Sequence, residues 1–355
     1  MLEAIKMIKE NGGKKTLIIY DTDGDGIGSA AILTKFFRKV FKKTPSSMPS
    51  EHESFFISEK MLKEIKRKNF DFIITVDIAI DERLECILEL SKKARILVVD
   101  HHQIHNDLNK YKNIVHVNPS LCKIKIPPYK YCVSKIIFDI CSEITNIEDL
   151  DWLTGIGIVN DKCEDVWKDF LENIYKKYSF TYKKLKTVND IITAGYNYCG
   201  NSGVKIGYDA CLEASSPIDI LKAKTPNSKK LKRFYNIIER EIISITKNWK
   251  KKAEIIEDKK LIMLQLKTKF SISSPISTII SLEKPNYTIF VSRKRDDMIY
   301  ISLRRQDGKV DCGEIASSLT KNLENSSGGG HRPAAGIHIM SRDWNIFKER
   351  ILDLL

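Results

Sequence analysis

The sequence lacks any apolar run approaching the ~18 residues that a membrane-spanning helix requires. None of its eight cysteines forms a C-x-x-C pair, so neither a zinc ribbon nor a disulfide scaffold is indicated. The segment up to Lys15 mixes lysine with Glu3 and Glu10 and has no apolar centre of the kind found in signal peptides. We therefore expect a cytoplasmic protein with no membrane partner and with reduced cysteines.

The composition is that of a globular protein with a strong excess of positive charge. Of its 355 residues, 42% are hydrophobic and 30% are charged, which excludes a mostly disordered chain. Lys and Arg number 59 against 46 Asp and Glu, a balance that favours polyanionic partners. Residues 222–252 alone contain eleven Lys or Arg and two Glu, on a stretch whose apolar spacing predicts a helix. The alternative for this stretch is an ordinary solvated helix face.

Short apolar runs alternate with amphipathic segments in the first part of the chain. The predicted strands are Thr16–Tyr20, Phe72–Val76, Arg95–Val99 and Ile114–Val117, and the predicted helices are Ile27–Phe41, Glu59–Lys68 and Asp81–Lys93. This alternation predicts an α/β fold with a parallel sheet. We expect an N-terminal domain over residues 1–220, a basic helical connector over 221–252 and a smaller C-terminal α/β domain over 253–355.

Carboxylates and histidines follow three of the predicted strands. They are Asp21, Asp23 and Asp25 after the first strand, Asp77 after the second, and Asp100, His101 and His102 after the third. Because ligands of open α/β sheets bind outside the carboxyl ends of the strands, we expect these groups to converge. Mixed carboxylate and imidazole ligands suit Mn²⁺, with Mg²⁺, Zn²⁺ and Fe²⁺ as alternatives, and their number suits two ions.

Each part of this pattern also has a plainer interpretation. The D-x-D-G-D-G run alone suits a surface turn or a calcium loop, although Ile32 stands where an EF-hand loop needs its last Glu. A single Asp at a strand end is typical of a helix cap. The conjunction of all the groups favours a metal site.

Several motifs together resemble a known family. DTDGDGIGSA, TVD, VVDHH and GIGIVND, in this order, resemble the four motifs of the DHH phosphoesterase superfamily. SSGGGHRPAAG, over residues 326–336, resembles the signature of the associated DHHA1 domain. The resemblance implies a DHH catalytic domain followed by a substrate-binding DHHA1 domain.

The resemblance also implies a role for each motif residue. Asp23 and Asp77 would bind one ion, and Asp25, Asp77, His101 and Asp161 the other, with Asp21 as an additional ligand. His102 would face the substrate phosphate, and Asp100 would fix the tautomer of His101. From the residues alone, Asp161 is only the end of an apolar stretch and suits a helix cap.

The C-terminal motif predicts a phosphate-binding loop. Gly328, Gly329 and Gly330 would let backbone amides approach an anion, with His331 and Arg332 as further donors. Arg304 ends a predicted strand in an S-L-R element whose arginine contacts phosphate in the family. The alternative is a glycine-rich turn beside surface arginines.

Within the superfamily, the closer resemblance is to the RecJ-like exonucleases of the compact archaeal type. The D-x-D-x-D-G pattern and Ile19, where the short-oligonucleotide enzymes place His, favour this choice. It implies a Mn²⁺-dependent exonuclease that releases 5′-mononucleotides from single-stranded DNA or RNA in the 5′→3′ direction. The alternatives are a nanoRNase-type or cyclic-dinucleotide phosphodiesterase, and a non-catalytic replication scaffold that binds the replication factor GINS.

Overall fold

The structure is a computed structural model that describes residues 1–51, 57–122 and 124–354. The chain divides into two units, Met1–Tyr235 and Asn236–Leu355. The division falls within one long helix, Pro226–Asn248, which includes most of the predicted basic connector. Among the described residues, no helix has the length and apolarity of a membrane-spanning segment.

The first unit contains a parallel sheet of five strands in the order β2-β1-β3-β4-β5. The strands are β1 (Thr16–Tyr20), β2 (Ser46–Pro49), β3 (Phe72–Val76), β4 (Arg95–Val99) and β5 (Ile114–Val117). The four strands predicted from the sequence are confirmed with the expected bounds. The edge strand β2 escaped prediction because the segment SSMP is short, polar and ends in proline.

Helices cover both faces of this sheet. They are α1 (Leu2–Asn11), α2 (Gly24–Phe41), α3 (Glu59–Lys68), α4 (Leu84–Ser91), α5 (Val133–Ser142), α6 (Asp151–Asn160), α7 (Lys168–Tyr178), α8 (Tyr182–Cys199), α9 (Asn201–Glu213), α10 (Pro217–Leu221) and α11 (Pro226–Asn248). One face of the sheet shares a core with α2, α5, α6, α8 and α9, and the other with α3 and α4. Because both faces of the sheet are buried, the sequences of its central strands are almost entirely apolar.

Two predicted helices differ from the structure at their first turns. Helix α2 begins three residues before the predicted start, because the Asp23 side chain accepts hydrogen bonds from the backbone N–H groups of Asp25 and Gly26. The helix predicted to begin at Asp81 begins instead at Leu84, after a 3₁₀ turn over Ile80–Arg83. Both differences lie beside the candidate site.

The second unit contains a mixed sheet of six strands in the order β10-β11-β9-β8-β7-β6. Its elements are β6 (Glu254–Ile256), β7 (Leu261–Leu266), α12 (Ser273–Glu283), β8 (Thr288–Arg295), β9 (Met298–Arg304), α13 (Cys312–Thr320), β10 (Ser327–His331), β11 (Ala334–Met340) and α14 (Trp344–Leu354). Among the described strands of this sheet, only β7 and β8 pair in parallel. Residues of α13 and α14 share an apolar core with β7, β8, β9 and β11, while Ser277 of α12 hydrogen-bonds Ser302 of β9 (2.8 Å). These observations confirm the α/β fold class with a smaller C-terminal domain.

The glycine-rich segment differs from the predicted loop. Gly328, Gly329 and Gly330 belong to strand β10, which pairs with β11. A Cβ atom on Gly328 would lie 2.3 Å from the carbonyl oxygen of Ala316 in α13. Gly328 is therefore required for close packing on a helix, which the sequence reading did not anticipate.

Helices α8 and α9 cross at two facing glycines, which generates a stability prediction. A Cβ atom on Gly203 would lie 1.8 Å from the carbonyl oxygen of Gly195. We expect Gly203→Ala to lower the free energy of unfolding by about 1–3 kcal/mol, the usual cost of overpacking, and to lower the melting temperature measured by circular dichroism. Gly13→Ala is the control, because nothing lies within 4 Å of its Cβ position. Equal melting temperatures for the two variants would contradict the crossing geometry.

Candidate metal centre

Three aspartates lie at one edge of the parallel sheet. Asp21, Asp77 and Asp100 directly follow β1, β3 and β4. The ladder continues through their backbones, since Asp77 N donates to Val99 O (3.0 Å) and Asp100 N donates to Val117 O (3.0 Å). The positions of these residues are therefore fixed by the sheet itself.

Asp77 has an unusual backbone conformation at the end of its strand. Its φ of +63° lies in the left-handed region, which Asp and Asn tolerate better than most residues. The carboxylate is almost fully buried, with 3% of the residue exposed. Such a conformation at a buried acidic position is typical of functional sites, where the surrounding structure maintains the strain.

Three groups of side chains meet around Asp77 and His101. Ligand-type atoms of Asp21, Asp23 and Asp77 lie within 4.8 Å of one another, as do those of Asp25, His101 and Asp161 and those of Asp77, His101 and His102. His101 Nε2 lies 3.5 Å from Asp77 Oδ1 and 3.6 Å from Asp161 Oδ2, so it joins the groups. The structure thus brings together all six predicted metal-binding residues.

Asn160 connects the two motifs that contribute Asp23 and Asp161. Its Nδ2 donates to Asp23 Oδ2 (2.6 Å) and to Asp161 Oδ1 (3.1 Å). Its Oδ1 accepts from the backbone N–H of Gly24 (3.2 Å). Sequence reasoning missed this residue, although its place directly before Asp161 in V-N-D was a usable signal.

Asp25 is held by the beginning of helix α5. Its two carboxylate oxygens accept hydrogen bonds from Val133 N (2.6 Å) and Ser134 N (2.9 Å). A Cβ atom on Gly157 would lie 2.0 Å from Asp25 Oδ1, so the glycine leaves room for the carboxylate. Neither contact could be inferred from the sequence, because α5 and α6 are more than a hundred residues from Asp25.

Burial and mutual repulsion raise the pKa values of the central carboxyl groups. Burial, and then the charge of neighbouring Asp23, raises the pKa of Asp25 to about 6. The pKa values of Asp77 and Asp161 lie well above the usual range, first because of burial and then because of surrounding carboxylates. Buried Asp161 Oδ2 accepts no hydrogen bond from the described residues. Carboxyl groups that are costly to ionise beside one another fit divalent cations, whose charge would stabilise the ionised form.

His102 is held by Asp100, which corrects one expectation. The predicted target of Asp100 was His101, but its Oδ1 lies 2.7 Å from His102 Nδ1, while His101 Nε2 faces Asp77 and Asp161. Burial alone would lower the pKa of His102, but the adjacent Asp100 carboxylate outweighs it and raises that pKa to about 9. The side chain of His102 remains 42% exposed. The site therefore places an imidazole with a raised pKa beside the carboxylates.

The predicted phosphate-binding residues belong to the second unit. Arg304 donates from Nη2 to Ser274 Oγ in the first turn of α12 (2.9 Å), and its buried Nε has no hydrogen-bond partner among the described residues. Burial lowers its pKa. Arg304 and His331 both pair with Ala334, from opposite sides of β11, so they lie at the same end of the sheet.

Arg332, the other predicted phosphate donor, makes two contacts within its own unit. Its Nη1 donates to the carbonyl oxygen of Gly308 (3.2 Å), and its Nη2 lies 3.5 Å from Asp311 Oδ2. The guanidinium is therefore engaged by neighbouring residues of its own unit. These contacts connect the turn between β10 and β11 to the segment between β9 and α13.

Two family profiles match the chain. The profile of the DHH family, N-terminal domain, matches residues 15–157, and that of the DHHA1 domain matches residues 258–355. The chain therefore belongs to the DHH/DHHA1 superfamily, as the motifs indicated, and its fold is RecJ-like.

Individual relatives agree with this classification. The single-stranded-DNA-specific exonuclease RecJ of Bacillus subtilis is 27% identical over 125 residues, which cover 34% of this chain and 16% of that protein. The crystal structure of RecJ from Thermus thermophilus with Mn²⁺ is similar over 98% of this chain and 53% of that one, with a TM-score of 0.71 and 17% identity. The DHH domain of a protein described as a member of a family of ribosomal proteins is similar over 99% of this chain and 91% of that one, with a TM-score of 0.75 and 17% identity.

The electrostatics of the cluster predict opposite effects of Asp77→Asn with and without metal. In EDTA, the variant should be at least as stable as the wild type. It removes a carboxyl group whose raised pKa costs folding free energy at neutral pH, and Asn tolerates the left-handed conformation. At 100 times its Kd, Mn²⁺ should stabilise the wild type by about 2.7 kcal/mol per ion and the variant by much less. Thermal unfolding with EDTA or MnCl₂ measures both effects.

The matched control is Asp71→Asn, at the opposite end of β3. This exposed residue lies outside the candidate site, so the variant should retain the full Mn²⁺-dependent shift. A wild-type shift in Asp77→Asn would remove Asp77 from the metal site.

Proposed function

We propose that the protein is a metal-dependent phosphodiesterase that acts as an exonuclease on single-stranded DNA or RNA. The observation that carries the proposal is the convergence of buried carboxylates on His101 at the carboxyl edge of the sheet. By resemblance to RecJ, we expect release of 5′-mononucleotides in the 5′→3′ direction. Bacillus subtilis RecJ, whose name specifies single-stranded DNA, supports the choice of substrate.

The proposed ligands divide into two sets that share Asp77. Asp21, Asp23 and Asp77 would hold one ion. The second set is Asp25, His101 and Asp161, together with Asp77, which lies 3.5 Å from His101. Mn²⁺ is the proposed metal, with Mg²⁺ as the alternative, and the pair supplies water activation and neutralisation of charge at phosphorus. Asn160 would orient Asp23 and Asp161 through its amide.

His102 supplies a positive charge for the reacting phosphate. The Asp100 carboxylate raises the pKa of the imidazole, and the hydrogen bond to Asp100 fixes its orientation. Such an imidazolium can stabilise a phosphate oxygen or donate a proton to a leaving oxygen. Asp100 thereby acts as a positioning residue.

Other residues of the protein would bind the nucleic-acid substrate at phosphates that do not react. Arg304, His331 and the backbone of β10 are proposed to bind further phosphates. The eleven cations of residues 222–252 would add salt-dependent attraction for longer strands.

The first experiment follows the products of a substrate series. The protein is incubated with Mn²⁺ and 5′- or 3′-labelled DNA and RNA of two to thirty nucleotides. We expect stepwise shortening of long single strands from the 5′ end, with mononucleotide products. Hydrolysis restricted to dinucleotides or cyclic dinucleotides would favour the short-substrate alternative. No hydrolysis of any substrate, together with binding to GINS, would favour the scaffold alternative.

The second experiment tests the imidazole. We expect His102→Ala to lower kcat/KM by about 10²–10⁴ while retaining Mn²⁺-dependent stabilisation, and Asp100→Asn to lower it less, because Asn still holds the ring but no longer raises its pKa. His105→Ala is the matched control, since His105 lies on the same loop and pairs with Glu82 (3.1 Å). Unchanged kinetics in His102→Ala would exclude it from the reaction.

A further inference from the structure

Strand β5 is followed by a buried residue that has no part in the proposed metal site. Aspartates of the candidate site follow β1, β3 and β4, whereas Asn118 follows β5. In the register of the β4–β5 pair, Asn118 lies beside Asp100 at the carboxyl edge of the sheet. Asn118 is fully buried, and a buried side-chain amide needs hydrogen-bond partners for its N–H groups and for its oxygen. The partners of Asn118 therefore indicate its role.

The two ends of the Asn118 amide contact two different segments. Its Oδ1 accepts a hydrogen bond from the backbone N–H of Ser120 (2.9 Å), in the 3₁₀ turn over Pro119–Leu121. Its Nδ2 donates to the carbonyl oxygen of His102 (3.0 Å). Capping the turn requires only the side-chain oxygen, which Asp, Ser or Thr would supply equally well. The turn therefore does not explain why an amide donor is directed at His102.

His102 depends on such hydrogen bonds because packing covers only part of its ring. The side chain is 42% exposed. Asp100 Oδ1 lies 2.7 Å from His102 Nδ1, and Asp100 Oδ2 accepts from the His102 backbone N–H (3.2 Å). Asn118 holds the carbonyl oxygen of the same residue. Two buried side chains thus bind the peptide groups on either side of the His102 Cα atom, which fixes the direction in which the imidazole leaves the backbone.

A third buried side chain anchors the loop beyond His102. Asp81 is 1% exposed and lies between β3 and α4. Its Oδ2 accepts hydrogen bonds from the backbone N–H groups of His105 (2.5 Å) and Asn106 (2.8 Å). Asn106 Nδ2 also donates to the Asp81 carbonyl oxygen (2.8 Å). Because this anchor does not involve Asn118, loss of the Asn118 bond should release His102 while the rest of the loop remains held.

We propose that Asn118 is a positioning residue that acts through His102. Its amide holds the His102 backbone so that the imidazole points at the reacting phosphate, while Asp100 fixes the rotation of the ring. A group misplaced by about 1 Å can cost on the order of 10²-fold in rate, so this hold matters for the reaction. The inference rests on the proposed function, which it deepens by naming a residue outside the four aspartate and histidine motifs.

The kinetic test separates the donor of Asn118 from its acceptor. Asn118→Asp keeps the oxygen that caps the turn and loses the donor, whereas Asn118→Ala loses both. With single-stranded DNA and Mn²⁺, we expect both variants to lower kcat by about 10- to 100-fold. KM should not change, because the bond to His102 acts on the reacting group and not on substrate binding. Wild-type kcat in Asn118→Asp would overturn the proposal and leave turn capping as the role.

Asn109→Asp is the matched control. Asn109 lies on the same loop and makes the same two kinds of hydrogen bond, donating to His116 O (3.0 Å) and accepting from His116 N (2.9 Å). The substitution removes the same donor and adds the same charge without touching His102. We expect wild-type kcat and KM. An equal loss of kcat in Asn109→Asp and Asn118→Asp would overturn the proposal, because any disturbance of the loop would then suffice.

Nuclear magnetic resonance in EDTA tests the position of the ring without any reaction. With ¹⁵N-labelled histidine, the His102 ring N–H bound to Asp100 should give a downfield proton resonance that is missing in His102→Ala. Asn118→Asp and Asn118→Ala should shift or broaden this resonance, and Asn109→Asp should preserve it. An unchanged resonance in both Asn118 variants, or its absence from the wild type, would overturn the positioning role. An inactive wild type whose resonance still depends on Asn118 would contradict the proposed reaction and not the positioning.

Discussion

Repulsion among buried carboxylates is the constraint on which the candidate site depends. Asp25, Asp77 and Asp161 are withdrawn from water beside one another, and the pKa values of all three are raised. Without metal, this arrangement does not stabilise the fold, because burying each carboxylate charge costs free energy. The arrangement becomes favourable when divalent cations share the carboxylate oxygens.

The surrounding structure is built to hold these groups in place against their repulsion. The sheet ladder fixes the backbones of Asp77 and Asp100, the start of α5 binds both oxygens of Asp25, and Asn160 ties Asp23 to Asp161. Glycine at position 157 provides the space. The groups that hold the carboxylates are backbone amides and the amide of Asn160, and Gly157 contributes only space. None of them carries a positive charge that could take the place of a metal ion.

The sequence predicted the parts of this design that follow from regular structure. Four strands, and the aspartates that follow three of them, could be predicted from apolar runs, and the convergence of these aspartates follows because parallel strands end at one edge. Asp161 could not be placed in that way, since it follows a helix, and only its motif identified it. The side-chain contacts of Asp100 and Arg332 depend on local geometry, which the spacing of residues along the sequence does not specify. The glycines of β10 predict a loop when composition alone is considered, because a strand that packs tightly on a helix has the same composition.

The metal centre is the central claim, and anomalous diffraction locates metal most directly. Crystals grown with MnCl₂ and measured at the manganese absorption edge should show two peaks, both within coordination distance of Asp77. One peak should also contact Asp23, and the other His101 and Asp161. An absence of anomalous density at the carboxylate cluster, with the side chains ordered, would contradict the account.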